Sequence, residues 1–290
     1  MRILRLFALI FFSVLGLLLL TQCGSKVTNG GSDVSDNPNQ EEEKIDKRKL
    51  PVNLSVFIDL SDRIAYNSIY IERDMEIVDQ LVDYFIDCSY ANSNLPRSKN
   101  KFNIFFYPLP SDNSVAMLAK GLNADLSVLN PGEKKDKLDE LKESVETNLS
   151  QIYALAIKDQ KFIGCDIWGF FSDKKVDNLC MLPGYRNILV ILTDGYLYHI
   201  ENKKQEGNAY SYLNGQNLML PGTSLIVARN GLQDLEVLML ELNPKSINQF
   251  HTMQEIIENW LRGMGVEHFM VVQTDVPVNT EKYVKAFLNN

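Results

Sequence analysis

The residues best equipped for chemistry sit where apolar runs stop. Val56, Phe57 and Ile58 have the composition of a buried strand, yet Asp59, Ser61, Asp62 and Arg63 follow within five positions. A second run, "ILVILTDG", ends the same way at Asp194. A metal-dependent phosphoesterase could use Asp59 and Asp194, but it would need further His or Asp ligands to hold a reactive water, and the sequence does not display them. The chain has three histidines, His199, His251 and His268, and none stands in a metal-ligand pair or beside a plausible nucleophile. No phosphate-binding glycine loop is present. Ser61 is flanked by acids and lacks the strained Gly-x-Ser-x-Gly elbow of a serine hydrolase. The expected chemistry is binding, and the chain reads as a non-enzyme.

Such residues need a scaffold that brings strand ends together, and the hydrophobic periodicity supplies one. Continuous apolar runs at Leu54–Leu60, Phe102–Tyr107, Asn187–Thr193, Glu236–Leu242 and Glu267–Gln273 predict buried strands, with a short strand near Asp125–Leu129. Between them, Ile69–Asp87 places Ile69, Met75, Ile77, Val78, Leu81, Val82, Phe85 and Ile86 largely on one helical face. Helical patterns recur at Glu133–Val145, Ser150–Lys161, Met253–Arg262 and Glu281–Leu288. Strands apolar on both faces, alternating with amphipathic helices, predict an open, doubly wound α/β domain with a mostly parallel sheet. Ligands of such folds bind beyond the carboxyl ends of the strands, where the strand order reverses. Asp59 and Asp194 both sit at such ends.

A third piece lies between them in "ETNLSQIYALA", where Thr147 and Asn148 stand at the expected start of a helix. With it, the chain resembles a von Willebrand factor A-type domain. "DLSDR" matches that family's Asp-x-Ser-x-Ser, Thr147 its loop threonine, and "LTDG" its second aspartate motif, in the family's order across residues 51–290. The resemblance implies a metal-ion-dependent adhesion site for Mg2+ or Mn2+. Asp59 would supply charge and bind a metal-held water, Ser61 and Thr147 would coordinate through hydroxyls, and Asp194 would act through water. Magnesium suits this set, wanting six oxygens and retaining water. The sixth position would take an acidic group from a protein partner.

Arg63 replaces the family's third serine, and a guanidinium cannot coordinate a cation. Held outward by Asp62, it would leave a weakened metal site, which is the expected arrangement. Turned inward to Asp59 or Asp194, it would balance their charge itself. Local structure offers other roles for the same residues. Asp194-Gly195 is a β-hairpin turn signal, Asp59 and Ser61 could brace a turn, and Thr147 could cap a helix.

The front of the chain carries an address. Arg2 and Arg5 precede an apolar run from Leu6 to Leu20, about fifteen residues, short for a membrane span and suited to a secretory leader. Leu20-Thr21-Gln22-Cys23 resembles a bacterial lipobox, implying a signal peptide over 1–22, lipid on Cys23 and a lipid-anchored envelope protein at the outer membrane. Residues 23–50 are polar and acidic and read as a flexible tether. The folded part, 51–290, contains a long excursion at 195–234 whose "YLYHI" and "NAYSYLNG" could present tyrosines to a partner.

Of the charged side chains, 29 are Lys or Arg and 37 are Asp or Glu. Removal of the leader with Arg2 and Arg5 takes the net charge from −8 to −10, which excludes nucleic acid as the expected partner. With Cys23 acylated, Cys88, Cys165 and Cys180 remain, and Cys165–Cys180 is the candidate disulfide.

Overall fold

A computed structural model describes residues 46–290 except 92–93, 160–161, 163, 197–203, 207–208, 212–229 and 245. The leader, Cys23 and most of the tether lie outside the described residues, as does most of the excursion at 195–234.

Six strands form one sheet in the order β3-β2-β1-β4-β7-β8. They are β1 Val52–Ile58, β2 Lys101–Phe105, β3 Asn123–Asp125, β4 Arg186–Leu192, β7 Leu235–Leu242 and β8 His268–Gln273. Val56 stands opposite Ile104 on one side and Val190 on the other, Val190 opposite Leu238, and Leu238 opposite Met270, all in parallel pairs. Only the edge strand β3 runs antiparallel. The chain therefore winds outward from β1 to β3, returns to the centre at β4 and winds out the other way. This is the doubly wound order, and its switch point lies between β1 and β4. Two three-residue strands, β5 Lys204–Glu206 and β6 Ala209–Ser211, form a separate antiparallel pair within the excursion.

The alternation hidden inside the continuous apolar runs becomes visible in two cores. Val56, Ile58, Val190 and Leu192 face α2 Ile69–Tyr90, α4 Glu133–Ser144, α5 Ser150–Asp159 and α9 Pro277–Leu288. Phe57, Leu189 and Ile191 face α6 Ile167–Ser172, α7 Lys175–Cys180 and α8 Ile247–Gly263. Side chains alternate across a strand with period two, so covering both faces requires an unbroken apolar run. Two further short helices, α1 Arg63–Tyr66 and α3 Asn113–Ala119, follow β1 and β2.

Two local departures shape the sheet's carboxyl edge. Leu238 and Leu240 face one core and Val237 and Met239 the other, yet Leu242 joins the second set. The strand bulges between Met239 and Leu242, with buried Glu241 at φ +71°. An extra residue there shifts the alternation by one. The helix expected to begin near Thr147 is also different. α4 runs through a π-helical turn, Val145–Leu149, directly into α5. Cys88, Cys165 and Cys180 are all free thiols, and the candidate pairing of Cys165 with Cys180 is not formed.

Candidate functional site

Asp59 follows β1 and extends its ladder by one bond, its N–H donating to the Leu192 carbonyl at 3.0 Å. Its side chain is fully buried. Oδ1 accepts the Ser61 N–H at 2.7 Å and Oδ2 accepts the Thr193 hydroxyl at 2.8 Å. Thr193 Oγ1 in turn accepts the Gly195 N–H at 3.2 Å. The ends of β1 and β4 are thus joined through one carboxylate and one hydroxyl.

Asp194 lies beside them. Its carbonyl accepts the Asn243 N–H, joining β4 to the end of β7, and its Oδ1 accepts the Tyr196 N–H at 3.1 Å. Burial, reinforced by the Asp59 charge, pushes its carboxyl up to about 7. Gly195 has φ +89°, and a Cβ there would stand 2.6 Å from Met253 Sδ and 3.0 Å from Leu242 Cγ. The Asp-Gly pair therefore forms a tight strand exit. Both β4 neighbours, β1 and β7, are parallel, so the hairpin signal at Asp194-Gly195 does not describe this turn.

Arg63 departs from the expected outward position. It is buried, with 4 % exposure, and points inward. Its Nε donates to the Asp59 carbonyl at 3.0 Å and Nη2 approaches the Leu192 carbonyl at 3.4 Å. The guanidinium meets Asp74 at two points, 2.5 and 3.4 Å, and stands 4.0 Å from Asp59 Oδ2. Tyr153, reaching in from α5, donates its hydroxyl to Asp74 at 2.6 Å. Burial works against the Arg63 charge, and the Asp74 and Asp59 carboxylates outweigh it. Burial also pushes the Asp74 carboxyl up, with Arg63 and Tyr153 pulling it back. The two-point contact decides for an ionised pair. The reason Arg63 turns inward is Asp74, because an acid on the buried face of α2 would otherwise have no counter-charge.

The preceding residue of α2 makes a parallel link. Arg73 Nε stands 2.9 Å from Glu241 Oε2, at the bulged end of β7. Burial raises the Glu241 carboxyl and Arg73 opposes the rise. Adjacent residues of one helix thus fasten it to the ends of β1, β4 and β7.

Of the residues singled out in the sequence, Asp59, Ser61, Arg63 and Asp194 come together at the switch point. Thr147 does not join them. It is exposed within the π-helical turn, and its hydroxyl bonds to the Glu143 carbonyl at 2.8 Å and to Asn148 at 3.4 Å. Six residues separate it from Tyr153, roughly 9 Å of helix at 1.5 Å per residue, and Tyr153 itself reaches the cluster only with its full side-chain length. The loop that does approach the site carries Cys165, whose thiol is raised first by burial and then by the Asp59 charge. Asp166 follows it and caps α6 by accepting the Gly169 N–H at 2.8 Å.

Asp74 and Tyr153 are site residues that the motifs did not reveal, and Thr193 lies within "LTDG" without having been singled out. Asp74 had a readable signal, standing three, four and seven positions before Ile77, Val78 and Leu81 on an otherwise apolar stripe. No family model, curated protein or solved structure matches the chain.

The residues present do not fit the ion that the resemblance implies. Both Asp59 oxygens already accept hydrogen bonds, Arg63 occupies the position next to them, and the hydroxyl of Thr147 is turned to its own helix. What the arrangement does offer is a buried, ion-paired frame with the half-buried Asp194 and the exposed Asp62 beside it.

Proposed function

We propose that the chain is a lipid-anchored envelope protein whose vWA-like domain binds a protein partner at the carboxyl edge of its sheet. The observation carrying this reading is the convergence of Asp59 and Asp194 on neighbouring strand ends at the switch point, in the order of the family's motifs. The frame around them is suited to recognition. Arg63 and Asp74 hold each other beside the two strand-end carboxylates and fix the ends of β1 and β4.

A photo-crosslinking residue placed at Ile247 in the full chain, irradiated in native envelope, tests the reading. Ile247 is 58 % exposed at the start of α8, beyond the end of β7. A discrete crosslinked partner is expected from Ile247 and not from Lys285 on the far part of α9; equal or no crosslinking from both would overturn docking at this edge. The phosphoesterase alternative predicts divalent-dependent turnover of phosphoesters that is abolished by Asp194→Asn.

A further inference from the structure

The sheet ends in two unlike edges. β3 is three residues long and antiparallel, whereas β8 is six residues long and pairs, among the described residues, with β7 alone. The Thr274 N–H donates to the Leu242 carbonyl at 2.8 Å, which turns position 274 toward β7. Bonding groups alternate along a strand, so Phe269, Val271 and Gln273 turn their N–H and C=O groups outward. The Gln254 side chain donates to one of these, the Val271 carbonyl, at 3.3 Å. No described strand lies against the others.

Edge strands that stay unpaired are commonly guarded by lysine, proline, inward charge or a bulge of their own. β8 reads HFMVVQ, without lysine, proline or acid, and the nearby bulge belongs to β7. Phe269 and Met270 remain half-buried on opposite faces of the strand.

A second copy fits this edge by register and by charge. In an antiparallel pair the bonded positions are outward on both strands, so the two registers nearest the middle of β8 centre a two-fold axis on Val271 or on Met270. Centring on Val271 sets Glu267 opposite Asp275, and like charges directly opposed are destabilising. Centring on Met270 avoids this. Met270 then meets Met270, Phe269 meets Val271, His268 meets Val272 and Glu267 meets Gln273. Asp275 falls opposite Gly265 and, by alternation, on the face of Phe269 and Val271. On that face Gly265, Val266 and Arg262 line an open cleft of about 680 Å3, with the Arg262 guanidinium 4.9 Å from the centre of the Phe269 ring. Arg262 also holds Glu258 at 2.9 Å, and its five N–H groups leave donors for a second carboxylate. The Asp275 carboxylate accepts the Val276 N–H and the Asn279 side chain and retains further acceptor sites.

We propose that two copies of this chain pair antiparallel through β8 about Met270, joining their sheets into one, with Arg262 of each copy on Asp275 of the other. The contact is isologous, so every complementary feature is used twice. The Val271 carbonyl has two lone pairs and accepts both Gln254 and the facing Phe269 N–H. This edge uses neither Asp59 nor Asp194, and the proposal stands apart from docking at the carboxyl ends of the strands.

Cysteine substitution in the full chain, oxidised in native envelope, tests the register. Facing Cα atoms of a non-hydrogen-bonded pair stand about 4.5 Å apart, within disulfide reach. Met270→Cys should therefore form a disulfide-linked dimer above the wild-type background. Gln273→Cys should not, since its two copies would lie roughly 20 Å apart along the strands. In sedimentation of the detergent-solubilised full chain, Met270→Lys and Met270→Glu should each weaken self-association about fivefold, and mixing the two should restore it. Monomer throughout, equal linking from both cysteine positions, a different protein linked in place of a second copy, or no recovery in the mixture would each overturn the proposal. Should the charged variants lose cooperative thermal unfolding, the cysteine pair alone decides.

Discussion

At the scale of single residues, Arg63 is the centre of the switch point. It stands where the proposed resemblance would put a hydroxyl, and it contributes a buried positive charge that links two strand-end carbonyls to a helix acid. Removing one partner of a buried ion pair leaves the other uncompensated, at a cost of about 3–5 kcal/mol. Arg63→Ser should therefore destabilise the fold by that order in chemical denaturation, and Arg63→Lys should recover little, since a point charge cannot make the two-point contact. Adding Asp74→Asn to Arg63→Ser should restore part of the loss, and a strictly additive double mutant would contradict the coupling. Asp194 behaves in the opposite sense. Its carboxyl is raised to about 7 in the folded chain, so the native state holds its proton more tightly than the unfolded chain does. Stability from this group is full below the unfolded value near 3.8 and is lost as pH climbs through about 7. Asp194→Asn should flatten the stability profile between those limits and make the protein more stable than wild type at pH 8, by about 1.4 kcal/mol per pKa unit at most. Urea titrations across that range, in chelator, would show it.

At the scale of elements, the carboxyl edge depends on exits that only particular backbones allow. Gly195 combines a left-handed φ with near contact from Met253 and Leu242. Gly195→Ala is expected to destabilise by about 1–3 kcal/mol and to displace Asp194, reducing both melting temperature and crosslinking from Ile247. The helix formed by α4, the π-helical turn and α5 gives a contrasting test. Thr147 is exposed and its hydroxyl bonds back to the Glu143 carbonyl, a habit that slightly disfavours helices. Thr147→Ala should be neutral or stabilising by a few tenths of a kcal/mol and should leave partner capture unchanged. A large loss of capture would restore Thr147 to the site that the resemblance implies. The Arg73–Asp74 step of α2 is the element-scale counterpart of the Arg63 contact, because one turn of helix answers to three strand ends.

At the scale of the whole molecule, the order β3-β2-β1-β4-β7-β8 gathers residues 59–63 and 193–195 at one edge although more than a hundred positions separate them in sequence. The resemblance of Leu20–Cys23 to a lipobox predicts that Cys23→Ala moves the protein out of the membrane fraction and that only the unsubstituted chain incorporates labelled fatty acid. Incorporation of label into Cys23→Ala would place the lipid elsewhere.

The sequence by itself determined the alternation of strands and helices, because burying a sheet on both faces demands unbroken apolar runs and amphipathic covers. It also marked Asp59 and Asp194 as strand-end carboxylates, since charge directly after such a run has few other places to go. Helix bounds read short at Met253 and at Glu281, where the first turns of α8 and α9 expose Ile247 and Val278 and so blur the apolar stripe. Tertiary structure decided the rest. The rotamer of Arg63 hung on whether Asp62 beside it or Asp74 eleven residues later would claim it, and local spacing favours the neighbour while burial of Asp74 requires the distant partner. Thr147 looked like a helix start because Thr-Asn commonly caps one, but packing of Val145 and Leu149 into the core carried the helix straight through. Both outcomes follow from burial, which sequence spacing alone does not contain: an acid enclosed on one helix fixed the cation of another segment, and an apolar pair enclosed beneath a turn overrode its polar surface.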